Sequence, residues 1–369
     1  MKPLHKRFPF LGLIASMLFL CTQIPGQDAW RVQTIAGDGE SGYRGDGGPA
    51  SEARINNPYG LTMGPENALY FCDMDNHVIR RIDRSGVIQT VAGCGMAGLS
   101  GEGGLATEAK MYQPYEVRFD RAGNLFVVEM PNHVIRRVDR ITGIITTVAG
   151  TGQPGYTGDG ALAVKGQLFR PHSIQFDASG NLIVCDIGNH RLRSIGHLDG
   201  MITTLSGNGK PLITPDGASI QNAPLNGPRA IDFAPSGDAW LALREGNAVY
   251  RLDHKQERWH HVAGTGAKGF TGHNGDARVA TLSGPKGISV DPTGNLWLAD
   301  TESHSVRMIE SESGIIRLVV GNGSRGDGPD GEASRCQLAR PHGIFAAEGG
   351  VIYVGDSENH RIRKITSLR

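Results

Sequence analysis

The sequence predicts an all-β protein, a six-bladed β-propeller, on three observations. A Val-Ala-Gly phrase recurs at Ile35-Ala36-Gly37, Val91-Ala92-Gly93, Val148-Ala149-Gly150, Leu205-Ser206-Gly207, Val262-Ala263-Gly264 and Val319-Val320-Gly321, with its glycines 56 or 57 residues apart. Prolines keep the same step at Pro58, Pro114, Pro171, Pro228, Pro285 and Pro341. Between these markers apolar residues alternate as strands require, and nothing is long enough to serve as a crossover helix. Short strands repeated at a fixed period of this length are the mark of propeller blades.

One unit shows how each element follows. In Ile174-Gln175-Phe176-Asp177 every second residue is apolar, and Ala178-Ser179-Gly180-Asn181 turns the chain. Residues 182–185 are a short apolar run ending at Asp186; 191–195 and 202–205 follow, separated by the turn Leu198-Asp199-Gly200. Four strands with Asp/Gly/Asn turns make one blade, and blades start near 58, 114, 171, 228, 285 and 341. The last unit stops after its third strand, while a fourth-type strand stands alone at 30–37. That N-terminal strand is expected to complete blade 6 and close the ring, leaving no open edge at the joint. Residues 27–369 are then one propeller with no second domain.

Residues 1–26 are read separately. Lys2, Lys6 and Arg7 precede an apolar run from Phe8 to Cys21, followed by Ile24-Pro25-Gly26. This order is that of a cleaved signal peptide, and the run is too short to span a bilayer of about 30 Å. A secreted or periplasmic protein is expected, without stable membrane insertion after cleavage. Loss of the segment leaves 34 basic against 37 acidic residues. Such a balance gives no footprint for nucleic acid. The 53 glycines among 369 residues belong to turns in this reading. Of the remaining cysteines, Cys72 and Cys185 sit at equivalent positions in blades 1 and 3, too far apart to pair, and no disulfide framework is expected.

The segments Asp73-Met74-Asp75-Asn76-His77-Val78-Ile79-Arg80, Asp186-Ile187-Gly188-Asn189-His190-Arg191-Leu192-Arg193 and Asp356-Ser357-Glu358-Asn359-His360-Arg361-Ile362-Arg363 resemble the NHL repeat, named for Asn-His-Leu. Pro171-His172-Ser173-Ile174 and Gly180-Asn181-Leu182-Ile183-Val184 resemble its preceding strands. The resemblance covers all six units and implies the propeller fold. Its functional range, from RNA regulators to sensor domains and an amidating lyase, selects no activity.

Most recurring polar columns read as structural. The acids Asp73, Glu129, Asp186, Asp300 and Asp356 are expected to bind backbone N–H groups of the loops they open. Five histidines recur at His77, His133, His190, His304 and His360; blade 4 has Leu243 and Asn247 in these columns, which breaks any ring of such groups. Asp46, Glu102, Asp159 and Asp216 lie in Gly-rich loops with too few carboxylates for calcium. Arg80-Arg81 and Arg136-Arg137 read as charges on strand faces.

The residue after each column proline varies instead: Tyr59, Tyr115, His172, Arg229, Lys286 and His342. Starting the innermost strands, these six should ring one mouth of the central channel as a ligand-binding set. Phenols, imidazoles and two cations with no carboxylate suit an anionic ligand. Glu116, Arg118, Gln175 and Asp232 follow just inside. The expected function is an exported, non-catalytic binding propeller for a protein or small ligand, with no catalytic residues and no cofactor. The alternative is a lyase- or lactonase-type enzyme with a divalent metal in the channel. Against it, only His172 and His342 are available in the ring, short of the three protein ligands a catalytic zinc takes.

Overall fold

A computed structural model of the chain describes residues 30–368; the proposed signal segment 1–26 lies outside them. Six antiparallel sheets form the six blades. Blade 3 is typical, with strands Pro171–Phe176, Leu182–Asp186, Arg191–Ile195 and Met201–Ser206 in sheet order, innermost to outermost. Blade 6 is built from Ile344–Ala347, Val351–Asp356, Arg361–Ser367 and, from the other end of the chain, Trp30–Ala36. Trp30–Ala36 pairs antiparallel with Arg361–Ser367, Val32 opposite Ile365, so the expected closure of the ring is present. The innermost strand of each blade touches that of the next, and Pro58–Met63 meets Ile344–Ala347 to complete the circle. Among the described residues the only helical pieces are three-residue 3-10 turns.

Each blade is apolar on both faces, and the core is correspondingly divided into six clusters, one between each pair of neighbours. The closing strand contributes to two of them, Val32 toward blade 5 and Ala36 toward blade 1. Burial of these faces is the main favourable term of the fold.

The Val-Ala-Gly glycine follows from contact geometry. Gly37, Gly93, Gly150, Gly207, Gly264 and Gly321 all have φ between 86° and 99°, and a Cβ on any of them would strike the carbonyl oxygen of His360, His77, His133, His190, Asn247 or His304. Only glycine meets both conditions at once.

Two columns do more than the sequence suggests. Each buried acid accepts a backbone N–H from 17 residues earlier, as Asp186 does from Phe169 at 2.7 Å. It also faces an arginine seven residues on: Asp73–Arg80 3.4 Å, Glu129–Arg136 3.5 Å, Asp186–Arg193 3.6 Å, Asp300–Arg307 3.4 Å and Asp356–Arg363 3.0 Å. Arg80 and Arg136 are therefore not strand-face charges; both are fully buried. The loop acids brace the same guanidinium from its other side, Asp46 on Arg80 and Asp159 on Arg193 at 2.6 Å each. Burying a charge is tolerable when it is paired and hydrogen-bonded, and these acceptors serve the terminal guanidinium nitrogens, while Nε of Arg136, Arg193 and Arg307 has no partner among the described residues. Blade 4 replaces the pair as a unit. Leu243 takes the acid's place, and Tyr250 takes the arginine's, its hydroxyl donating to Thr214 O at 2.7 Å.

The histidines join one blade to the next. In each, Nδ1 accepts a backbone N–H from the following repeat: Gln113 on His77, Arg170 on His133, Gly227 on His190, Arg340 on His304 and Asn57 on His360, at 3.0–3.3 Å. Asn247 does the same with Oδ1, taking the N–H of Gly284 at 2.9 Å. The ring of groups is thus unbroken at blade 4, because an asparagine carbonyl oxygen is also an acceptor.

Candidate functional site

The innermost strands bring the six variable residues together at one end of the channel. A Cβ at Gly60 or Gly287, on these strands, or at Gly343, just before that of blade 6, would collide with Glu116, with His342 O or with Tyr59 O. This closeness lets the flanking side chains meet. Tyr59 stacks on His342 with ring centres 3.9 Å apart, and its other side meets the edge of Tyr115 at 4.7 Å. Tyr115 touches His172 at 4.6 Å, and the Arg229 guanidinium lies over the Tyr115 ring at 4.7 Å. Lys286 Nζ stands 3.2 Å from His342 Nε2. The six form a packed arc; Tyr115 is half-buried and the others are at most 8% exposed.

A carboxylate enters this arc that the sequence reading left out. Glu302, from the 3-10 turn Thr301–Ser303, accepts from Lys286 Nζ at 2.8 Å and from Arg340 at 2.7 Å. Arg340 also reaches Glu358 at 3.1 Å. Lys286 is therefore matched, while Arg229 has no hydrogen-bonded carboxylate among the described residues. Just inside, Glu116 and Arg118 form an ion pair, while Asp232 accepts from Gln175 at 2.7 Å and from Val290 N at 2.8 Å.

Burial governs the protonation of the set. It draws the Lys286 ammonium down to about 7 against the support of Glu302. Burial would raise Glu302, but Lys286 and Arg340 outweigh it and hold the carboxyl at about 2. Both His172 and His342 are pushed well below the usual imidazole range, by burial and then by nearby cations, Arg229 among them. They are neutral at pH 7, and each points Nδ1 at a backbone carbonyl, Arg170 O at 2.6 Å and Arg340 O at 2.9 Å.

Arg229 is the exception. Only 4% exposed, its guanidinium meets no hydrogen-bond or ion-pair acceptor among the described residues, and its Nε is fully enclosed. Its guanidinium lies over the face of Tyr115, and its charge also acts on the buried Glu116 carboxyl. A divalent metal finds no matching donor set here: His172 and His342 are separated by the two tyrosines, and no group of three or more His, Cys, Asp or Glu among the described residues is arranged to hold an ion. The cysteines 72, 94, 185 and 336 are free thiols.

Comparison with known proteins agrees with the repeat architecture. A family model of the teneurin NHL domain matches residues 33–99, and one of the NHL repeat matches 282–307 and 338–365. The chain is 26% identical over 283 residues to Protein SUPPRESSOR OF QUENCHING 1, chloroplastic, of Arabidopsis thaliana, covering 73% of this chain and 26% of that protein. It is 24% identical to human NHL repeat-containing protein 2, covering 85% and 39%. The chain thus spans about a quarter to two fifths of the length of these relatives. Among solved structures, an auxiliary nutrient binding protein from Bacteroides thetaiotaomicron superposes with a TM-score of 0.66 at 19% identity, covering 93% of this chain and 78% of that one. A streptogramin B lyase superposes at 0.54 and 15% identity, covering 92% and 98%. These likenesses are of fold.

Proposed function

The chain is an NHL-repeat β-propeller, and on that architecture we propose an exported binding module that takes an anionic ligand, a small carboxylate or one borne by a protein, at the Arg229 side of the channel mouth. The observation that carries this is the Arg229 guanidinium, 4% exposed and without a hydrogen-bond or ion-pair acceptor among the described residues. A buried charge without a partner is unfavourable by several kcal/mol, as a rough measure, and a carboxylate arriving there relieves it through bidentate hydrogen bonds. Lys286, whose Nζ stands 3.2 Å from His342 Nε2, is a further donor in the same arc. The nutrient-binding proteins of the same fold support a ligand-binding propeller in general terms. Export rests on the basic-then-apolar segment 1–26.

Calorimetric titration of the full chain with acetate, succinate and citrate tests the reading. At least one carboxylate should bind saturably, and Arg229→Ala with Lys286→Ala should weaken it at least tenfold while the protein still melts cooperatively. An unchanged affinity in that folded double variant, or no binding of any of the three to the wild type, removes the mouth from consideration.

A further inference from the structure

The channel mouth carries a negative group as well as a positive one. Glu116 follows Tyr115 in the innermost strand of blade 2, Pro114–Phe119, and the Arg229 guanidinium lies over the Tyr115 ring at 4.7 Å. Gly60, on the adjacent strand Pro58–Met63, leaves the carboxylate its room, since a Cβ there would strike Glu116 Oε1. Only one side of that carboxylate is used. Arg118 Nη1 and the backbone N–H of Val117 both donate to Oε1. Oε2 has no partner among the described residues and is not enclosed. Arg229 is its counterpart: Nε is enclosed, while both terminal nitrogens are open and without an acceptor among the described residues. The mouth thus offers a free acceptor and free donors around one aromatic ring.

Charge balance decides the class of ligand. Lys286 and Arg340 are matched by Glu302 and Glu358, in the fifth and sixth repeats. Arg118 and Arg229 both act on Glu116, and Arg118 acts on Asp232 as well. These last four charges sum to zero. A bare carboxylate would satisfy the Arg229 guanidinium but leave a negative excess in a desolvated site. Burial already pushes the Glu116 carboxyl up, and a second negative charge would push it further. A ligand that brings an ammonium with its carboxylate adds no net charge, and its N–H groups supply the donor that Oε2 lacks. The ammonium belongs on the Glu116 side, because Lys286 and Arg340 hold the other.

We infer that the ligand of the mouth is a small zwitterionic amino acid, its carboxylate on the Arg229 guanidinium and its ammonium on Glu116 Oε2. This rests on the carboxylate site proposed above, and the experiment separates the two. Calorimetric titration of the full chain compares glycine with acetate, β-alanine with propionate and γ-aminobutyrate with butyrate, each pair differing only in the ammonium. In at least one pair the amino acid should bind at least tenfold more tightly than its carboxylate. Glu116→Gln should bring that pair to equal affinity in a protein that still melts cooperatively. Carboxylates that bind as tightly as their amino acids overturn the inference and leave the carboxylate site standing. No binding by any of the six overturns both, and a preference that survives in folded Glu116→Gln overturns the placing of the ammonium. The wild-type pairs decide the matter by themselves should Glu116→Gln fail to fold.

Discussion

The backbone N–H of Asn57, in the first repeat, donates to Nδ1 of His360, in the last, at 3.2 Å. Blade 6 is thereby fastened to blade 1 by the same bond that joins the other neighbours. His360 also adopts φ 53°, where a residue other than glycine or asparagine is strained. His360→Ala removes the acceptor and keeps the strain, and should destabilise the protein by about 1–2 kcal/mol. His360→Asn copies Asn247 and should recover most of that in chemical denaturation. Equal losses in the two variants would show that the bond across this joint is immaterial.

The same histidine gives a pH dependence. Burial lowers its pKa, and those of His77, His133 and His304, below the ordinary 6.5. Above that value both folded and unfolded states hold it neutral, so its contribution is complete. As pH falls below 6.5 the unfolded chain takes up the proton first, and stability is lost. Buried acids such as Asp73, raised by burial to about 7, work in the opposite direction over an overlapping window. The comparison must therefore be between proteins. Wild type should lose ground to His360→Asn between pH 7.5 and 5 in parallel denaturation curves; a constant difference would contradict the assignment.

The buried Asp186–Arg193 pair should be separable only at a cost. Asp186→Leu leaves the guanidinium of Arg193, fully enclosed, with the half-exposed Asp159 as its remaining carboxylate, and should destabilise by about 3 kcal/mol. Adding Arg193→Tyr reproduces the Leu243 and Tyr250 combination of blade 4 and should restore much of the loss. A double variant less stable than Asp186→Leu alone would mean that blade 4's solution does not transfer.

Deleting residues 30–36 has three consequences at once. The sixth blade loses its outer strand, two inter-blade cores lose Val32 and Ala36, and Arg361–Ser367 becomes an open edge. The truncated chain should lack the wild-type melting transition in calorimetry and associate through the exposed strand. Wild-type melting in the truncated chain would contradict the closure.

The architecture was legible because a propeller repeats its constraints. A glycine forced by a carbonyl in one blade is forced in all, so Gly93 and Gly150 announce each other. Tyr59 to His342 stood out for the opposite reason, as variation beside a fixed proline. Glu302 and Arg340 escaped notice because they reach the mouth from separate blades, and linear spacing does not record which loops converge. Arg80 looked solvent-facing because an arginine alternating with apolar residues usually is; the acid seven residues earlier was the available signal, and its joint loss at Leu243 and Tyr250 would have confirmed the partnership.

Closure by the strand Trp30–Ala36 also bears on how the molecule comes apart. In an open array of repeats the terminal unit has one neighbour, frays first and lets the rest follow in steps. Here every blade is held from two sides, and releasing any one exposes two apolar faces together. Partial unfolding has no inexpensive starting point, which makes the ring a single cooperative unit despite its modular sequence.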